Sequence, residues 1–458
     1  MDGITTQRAR ADAAACSPVH RRLVLCVLSM AVLVAQIDTA VVNLAVRPIG
    51  QFFHAEVGPL QWVIDAYNLA YAALLLSGGL LADLYGRRRA FVWGALVFSV
   101  ASVLCALAPS VRWLVGARAM AGVGASLMLP ASLPILRVVW RDPAERAHAL
   151  GVWAACNGLA MAIGPTAGGL LVTHFGWRAV FWVVVPVSAA IVVLALRVVP
   201  ESSDPAHRRF DALAQMLGAL VLGGLAFAAI EARQAPAVAT SVLVSALAAL
   251  AWFLRVEARQ GAQALVPLDL FRIRPFRGAI VATTGMTFGM YGVLFLLPLM
   301  WQSTGRFSIV GAGIALMPMA LVFMAVSPVS GVVVRRCGVR LATAGGVGVI
   351  ALGLLMLGAF AGEASVGLAL TGLGMGFATG PLMGAAVGAV GPERSGTASA
   401  LVNVARMSGA TLGVAVLGAA YAASGGGVPG LRVAMLCGGA VQLVCAAVAW
   451  RHGAGRDS

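Results

Sequence analysis

The stretch Gly79-Leu-Leu-Ala-Asp-Leu-Tyr-Gly-Arg-Arg88 joins two long apolar runs, and it has a counterpart 252 residues later, Gly331-Val-Val-Val-Arg-Arg-Cys-Gly-Val-Arg340. A second pair of loops repeats at an offset of 248, with Pro143-Ala-Glu-Arg146 matched by Gly391-Pro-Glu-Arg394. A chain that repeats its loops at this spacing is predicted to consist of two related halves.

The apolar runs around these loops indicate a membrane protein. Apolar residues make up 60% of the 458 residues and charged residues 11%, with a mean hydropathy of +0.92. Ordinary globular domains carry about 25% charged residues, and helices that are apolar all round belong in lipid. A spanning helix needs roughly 20 mostly apolar residues. Fourteen segments meet this requirement: 22–46, 60–82, 90–108, 112–136, 147–172, 178–197, 212–231, 236–255, 277–300, 309–334, 341–361, 364–389, 397–421 and 430–450.

The predicted fold is therefore an all-α polytopic membrane protein with fourteen transmembrane helices. The repeat spacing fits two pseudo-symmetric six-helix bundles, at 1–200 and 261–458, separated by a two-helix insertion at 201–260. Many secondary transporters are built from such repeats, and their substrate site lies between the repeats.

The arginines predict the orientation. All 32 basic residues are Arg, and placing both termini in the cytoplasm leaves 24 of them on the cytoplasmic side. Cytoplasmic loops carry an excess of basic residues, so this is the expected topology. Two arginines, Arg118 and Arg406, fall inside helices, and six fall outside: Arg47, Arg112, Arg178, Arg233, Arg306 and Arg432.

Two of the 17 carboxylates, Asp38 and Asp65, lie well inside predicted helices. A carboxylate in hydrocarbon costs at least about 2.5–3.5 kcal/mol, and such residues are functional candidates by default. We assign proton loading and release to Asp38, with Thr39, Gln36 and Asn43 as candidate hydrogen-bond partners. We assign attraction of a cationic substrate to Asp65, with Tyr67 and Asn43 beside it in the substrate site. The bland alternative for each is a buried Asp satisfied by its neighbours.

The buried arginines need partners because their charge is permanent. Arg118 can pair with Asp38 or bond backbone carbonyls, and so relay proton movement, or it can extend toward the outer surface. Arg406 is assigned to a structural pairing.

Enzyme and cofactor motifs are absent. The sequence has no Walker A, HExxH or GxSxG pattern, and its cysteines and histidines lack metal-ligand spacing. We expect no enzyme activity, no cofactor and no metal site. The single or short runs of Arg favour membrane topology over nucleic-acid binding.

Three loop and helix motifs resemble those of the major facilitator superfamily, across nearly the whole chain. The Gly79 stretch resembles its loop motif, which implies a conformational latch. Arg118-x-x-x-Gly122-x-Gly124 resembles its helix-4 motif for proton transfer. The helix-5 pattern resembles its antiporter motif, which marks exporters. The latch residues are Gly79, Asp83, Gly86, Arg87 and Arg88, and the antiporter residues are Gly151, Gly164, Pro165, Gly168 and Gly169.

Two further stretches, Asp38-Thr-x3-Asn43 and Gln61-Trp-Val-Ile-Asp65-Ala-Tyr67, are similar to helices 1 and 2 of the 14-helix drug:proton antiporter branch. Some members of that branch carry an extra acidic residue in helix 10 for divalent cations, and this chain has none between Ile309 and Val334. The resemblance implies a proton-coupled antiporter that exports lipophilic, neutral or monocationic molecules such as antibiotics.

The expected location is the bacterial cytoplasmic (inner) membrane, with a monomer surrounded by lipid and with protons and a small molecule as its ligands. Two other functions stay open. A symporter importing a metabolite would use the same architecture, although the antiporter motif argues against it. A polytopic sensor would carry a soluble output domain, and both tails here are short.

Overall fold

The computed structural model describes residues 18–140, 142–203, 211–232, 234–261, 264–360, 364–391 and 394–453. Expectations for Arg233, for Glu393 and for both chain termini lie outside these residues. The helices are α1 Pro18–Phe53, α2 Val57–Tyr85, α3 Arg87–Ala106, α4 Val111–Val139, α5 Pro143–Phe175, α6 Ala179–Val198, α7 Ala212–Glu231, α8 Pro236–Gln260, α9 Arg274–Ser303, α10 Ile309–Cys337, α11 Leu341–Ala359, α12 Ala364–Gly388, α13 Ser395–Ala423 and α14 Gly427–His452.

Thirteen of these helices are long and apolar enough to cross a membrane. The remaining one, α5, consists of His148–Ala160 and Ile163–Phe175 with a 44° bend between them, and the two pieces together form a fourteenth span. The described residues contain no strand. The predicted all-α class with fourteen spans is confirmed.

The helices pack in two groups. In the group α1–α6, α4 lies against both α2 and α3, while α1 packs on α5 and α6. In the group α9–α14, α9 packs on α12, α13 and α14, and α11 lies between α12 and α14. Most helix faces in each group are thus buried against helices of the same group.

The two groups touch mainly where α1 meets α9, where α2 meets α13 and where α5 meets α10, with a smaller contact between α1 and α10. The Gln61 side-chain amide donates to the carbonyls of Val414 (2.9 Å) and Ala415 (3.0 Å). The Gln302 amide donates to the Leu44 carbonyl at 3.3 Å. Gln61 lies at the start of α2 and Gln302 at the end of α9, so these two side chains close the same end of the molecule. This end is the predicted outer one.

The inserted pair of helices lies at the junction of the two groups. Helix α7 contacts both α2 and α13, and α8 packs on α7. The hydroxyl of Ser77 on α2 hydrogen-bonds the side chain of Gln215 on α7, and the rings of Trp62 and Phe227 lie 6.2 Å apart.

Helix α4 approaches its neighbours closely because it carries glycine at the contacts. A Cβ on Gly124 would lie 2.7 Å from the Phe98 backbone nitrogen, and a Cβ on Gly122 would lie 2.4 Å from the Tyr67 carbonyl oxygen. Small residues let membrane helices pack backbone to backbone. The glycines of the helix-4 motif therefore set the position of the whole helix.

We expect Gly124→Ala and Gly116→Ala, two substitutions on α4, to change stability in opposite directions. The methyl group that the first substitution introduces would enter backbone atoms of α3, which should cost about 1–3 kcal/mol. No heavy atom lies within 4 Å of a Cβ at Gly116, so there the better helix propensity of Ala should stabilise by up to about 1 kcal/mol. Thermal unfolding of the purified variants in detergent measures both. Equal melting temperatures would contradict this packing.

Candidate functional site

An ion pair lies buried between α1 and α4. The Arg118 Nη1 atom donates to Asp38 Oδ2 at 2.6 Å, and both side chains are at most 2% exposed. The predicted pairing of these two residues is present, and Arg118 does not extend to the surface. A buried pair of this kind carries a large desolvation cost, which only good geometry offsets.

The rest of the guanidinium also has partners. Its Nε donates to the Val63 carbonyl on α2 at 3.1 Å, and its carbon lies 4.7 Å from the centre of the Tyr67 ring. The close approach of α4 to α2 at Gly122 brings these contacts within reach. Arg118 therefore bridges α1, α2 and α4 at the point where Asp38 would gain or lose a proton.

Two polar neighbours of Asp38 bond elsewhere. The Thr39 hydroxyl donates to the Ala35 carbonyl at 3.1 Å, and the Asn43 amide donates to the Thr39 carbonyl at 2.8 Å. Both are i to i−4 bonds within α1, so the expectation that these groups bond Asp38 is wrong. The Tyr67 ring lies under the guanidinium of Arg118, and its place in a substrate site stays a prediction.

Asp65 is fully buried, and neither of its carboxylate oxygens has a hydrogen-bond partner among the described residues. It follows Gln61 by one turn of α2, on the side that faces α13. The side-chain polar atoms of Asn68 on α2 and of Thr411 on α13 are likewise buried without partners in the described part of the chain. The contact between α2 and α13 thus contains several unsatisfied polar groups.

The latch residues meet at the other end of α2. The Arg87 guanidinium binds the Asp83 carboxylate, with Nη2 at 2.8 Å from Oδ1. Gly86 joins α2 to α3 with φ of 110°, a conformation that glycine adopts readily. Arg88 pairs instead with Glu201, at 3.7 Å. Gly79 only lies near Pro130, with a Cβ distance of 3.6 Å.

Sequence reasoning missed Glu201. Its carboxylate accepts the backbone N–H of Arg88 at 3.0 Å, at the start of α3, where an anion is favoured by the helix dipole. A Cβ on Gly86 would lie 2.8 Å from this carboxylate. Glu201 is 113 residues away from Arg88, and no local pattern connects them.

The antiporter motif places small residues of α5 against both helix groups. A Cβ on Gly164 would lie 2.7 Å from the Ala40 Cβ on α1. A Cβ on Gly168 would lie 2.6 Å from the Val41 Cγ1 on the same helix. A Cβ on Gly169 would lie 2.9 Å from the Val310 Cα on α10. The Pro165 carbonyl faces Gly313 of α10.

Gly151 does not share in this contact. It is exposed, and no heavy atom lies within 4 Å of a Cβ there. The structure thus brings four of the five motif residues together and leaves Gly151 apart.

Arg406, for which the sequence predicts a structural pairing, bonds Asn403 and has no carboxylate partner among the described residues. Its Nη1 is 3.4 Å from Asn403 Oδ1, and its Nε is buried with no hydrogen-bond partner among the described residues. The ion pairs formed by these residues do not include it. The described residues also contain no cluster of His, Cys, Asp or Glu that could hold a metal ion.

Residues 28–414 match the Major Facilitator Superfamily. The chain belongs to this family. It is an integral membrane protein with the architecture of a small-molecule transporter.

Several relatives from this family are named for drug or antibiotic resistance. The multidrug resistance protein Stp of Mycobacterium tuberculosis is 36% identical over 84% of this chain and 73% of its own length. The multidrug efflux pump LfrA of Mycolicibacterium smegmatis is 32% identical over 89% and 82%. The methylenomycin A resistance protein of Streptomyces coelicolor is 29% identical over 93% and 90%.

Solved transporters share the fold. The POT family transporter PepTSo superposes with a TM-score of 0.71 at 12% identity, over 94% of this chain and 97% of its own. A bacterial homolog of the human lysosomal transporter Spinster, in an inward-facing and unoccupied conformation, gives 0.69 at 17% identity, over 95% and 97%.

We expect Arg118→Leu to destabilise the protein by about 3–5 kcal/mol, because it leaves the Asp38 carboxylate buried and unpaired. Adding Asp38→Asn should recover a large part of this loss. Thermal unfolding of the single and double variants in detergent gives the coupling energy of the pair.

The exposed pair Arg21–Glu145, whose side chains are 31% and 55% exposed, is the control. Arg21→Leu should cost at most about 1 kcal/mol. A double variant at Asp38 and Arg118 that is as unstable as Arg118→Leu alone would show that the unpaired carboxylate is not the cause.

Proposed function

We propose that this chain is a proton-driven antiporter that exports lipophilic small molecules from a bacterial cell by alternating access. It works in the cytoplasmic (inner) membrane with both termini inside, as the arginine distribution predicts. Family membership and the efflux names of the relatives support export. The observation that carries proton coupling is the buried pair of Asp38 and Arg118.

Protonation of Asp38 removes one charge of this pair. Arg118 then keeps only the Val63 carbonyl and the Tyr67 ring as partners, and its charge is no longer balanced. A conformation that suits the charged pair therefore becomes less favourable once the proton arrives. Coupling requires such a difference between states, because a ligand shifts an equilibrium only through its differential affinity.

The movement would separate the two helix groups at the end that Gln61 and Gln302 close. We propose that the bundles at 1–200 and 261–458 move as units, with the segment 201–260 between them. The Asp83–Arg87 latch lies at the opposite end of α2. The antiporter motif holds α5 against α1 and α10, and it would keep the closed end sealed.

The substrate site would lie between the groups, with Asp65 in the α2–α13 contact as a predicted binding residue. Asn43 keeps a side-chain oxygen without a partner among the described residues and stays a candidate. Tyr67 would contribute through its contact with Arg118. A monomer contains all of these groups.

We expect Asp38→Asn to abolish uphill export while it spares substrate exchange without a proton gradient. Asn copies the protonated carboxyl group in shape but carries no exchangeable charge. Dye uptake into everted vesicles after a pH gradient is imposed measures the first activity, and dye counterflow at equal pH measures the second. Asp269→Asn, at a carboxylate 52% exposed, is the control and should export normally.

Three results would contradict this assignment. If Asp38→Asn exports at the wild-type rate on a proton gradient, another group couples protons, and Asp65 is the next residue to test. Loss of exchange as well as of export, at normal membrane insertion, would place Asp38 in substrate binding. Substrate uptake into intact cells by the wild type would favour a symporter.

We expect Gly169→Val to slow export roughly tenfold, because a side chain there forces α10 away from α5. Gly151→Val on the same helix meets no neighbour and should export at the wild-type rate. Both are measured in the same vesicles at matched protein levels. Equal export rates for Gly169→Val and Gly151→Val would show that transport does not depend on the α5–α10 contact.

A further inference from the structure

Arg406 places a permanent positive charge in the middle of a spanning helix. It lies eleven residues after Ser395, the first residue of α13, which is about 16 Å along a helix. A charge at this depth faces a binding pathway or a partner, because lipid does not accommodate it.

The guanidinium is poorly satisfied within the described part of the chain. Its hydrogen bond to Asn403 Oδ1 is long at 3.4 Å, and its Nε is buried without an acceptor. Arg118 shows the contrast, since its donors bind a carboxylate and a carbonyl at 2.6 Å and 3.1 Å. The five N–H donors of a guanidinium lie in a planar fork that fits an oxyanion. Among the described residues, no carboxylate forms an ion pair with Arg406.

Arg406 lies on a helix that contacts both helix groups. Helix α13 packs on α2 of one group and on α9 of its own. Tyr71 of α2 and Tyr291 of α9 both lie within electrostatic range of the guanidinium. Phenol rings offer an aromatic face and a hydroxyl group, so Tyr71 and Tyr291 are candidates to contact a molecule held by this cation.

The carboxylates of the neighbouring helices are not its partners. Asp38 is held by Arg118, and Asp65 forms no hydrogen bond or ion pair with Arg406 in the described structure. Helix α10 contains no acidic residue. None of these described carboxylates supplies an anion to Arg406, which leaves a ligand as the candidate source.

We infer that Arg406 binds an acidic group of the exported molecule, so that the cargo is a lipophilic oxyanion. A carboxylate, phenolate or sulfonate on an aromatic or aliphatic body has this chemistry, and Tyr71 and Tyr291 would flank that body. This rests on the proposed export function and names its substrate class. It also replaces the neutral or monocationic cargo that the family resemblance implies and the cationic substrate that the sequence assigns to Asp65.

The test compares three probes that share a pyrenebutyl body and end in a sulfonate, a hydroxyl or a trimethylammonium group. Their binding to purified protein in phosphatidylcholine nanodiscs is followed by pyrene fluorescence. The wild type should bind the sulfonate at least about tenfold more tightly than the alcohol. Arg406→Gln should weaken sulfonate binding roughly ten- to a hundredfold and alcohol binding by less than about threefold.

Two variants sharpen this comparison. Arg406→Lys keeps the charge without the fork and should retain part of the preference. Arg432→Gln removes an arginine from an exposed position on α14 and should bind all three probes as the wild type does. Monodisperse elution and an unchanged melting temperature show that each variant is folded.

Several outcomes would overturn the inference. Equal weakening of all three probes in Arg406→Gln would give the residue a structural role. Recovery by the double change Asp65→Asn and Arg406→Gln would make Asp65 its partner in another state. Competition by added phosphatidylglycerol would assign the site to a lipid headgroup.

Transport separates this inference from the proposed function. Everted vesicles that take up the trimethylammonium probe on a proton gradient, but not the sulfonate, would keep the exporter and reject the anionic cargo. Vesicles that move neither charged probe would reject both. Gradient-driven uptake of the sulfonate, lost in Arg406→Gln, supports both.

Discussion

The cost of placing charge among apolar helices governs this structure. Asp38 and Arg118 are tolerated between α1 and α4 because each neutralises the other at 2.6 Å, and the remaining donors of Arg118 reach a carbonyl and a ring on α2. This arrangement needs α4 to lie very close to α2, which Gly122 permits. Packing and electrostatics therefore depend on each other: backbone contact makes the ion pair possible, and the ion pair ties three helices together.

Other polar groups at the helix interior lack such compensation. Asp65, Asn68 and Thr411 have buried atoms without partners among the described residues at the α2–α13 contact, and Arg406 has a buried Nε in the same situation on helix α13. Unsatisfied buried groups raise the free energy of the state that contains them. Their concentration where the two helix groups meet raises the free energy of this closed state relative to one in which water or a ligand reaches them.

The sequence predicted the features that depend on local pattern. Helix number followed from hydropathy, and the pairing of Asp38 with Arg118 followed from the cost of a buried charge. The helix ends were underestimated, because hydropathy reports the segment in lipid and α1 continues for 36 residues in all. Contacts between segments that lie far apart in the sequence could not be predicted. Glu201 at the start of α3 and Gln61 on the carbonyls of Val414 and Ala415 follow from tertiary packing and leave no signature in nearby residues.

The first inserted helix, α7, uses different kinds of contact toward the two helix groups. Helix α7 is joined to α2 by the Ser77–Gln215 hydrogen bond, and the loop after it is joined to Glu56 by Gln234 at 3.0 Å. Toward α13 its contacts are apolar, with Ala226 and Ile230 against Ala415. Hydrogen bonds are directional and fix geometry, whereas apolar contacts depend mainly on the area removed from water or lipid. Helix α7 is thus held to the first group by directional hydrogen bonds and contacts the second through apolar residues, so the proposed separation of the groups would cost these hydrogen bonds nothing.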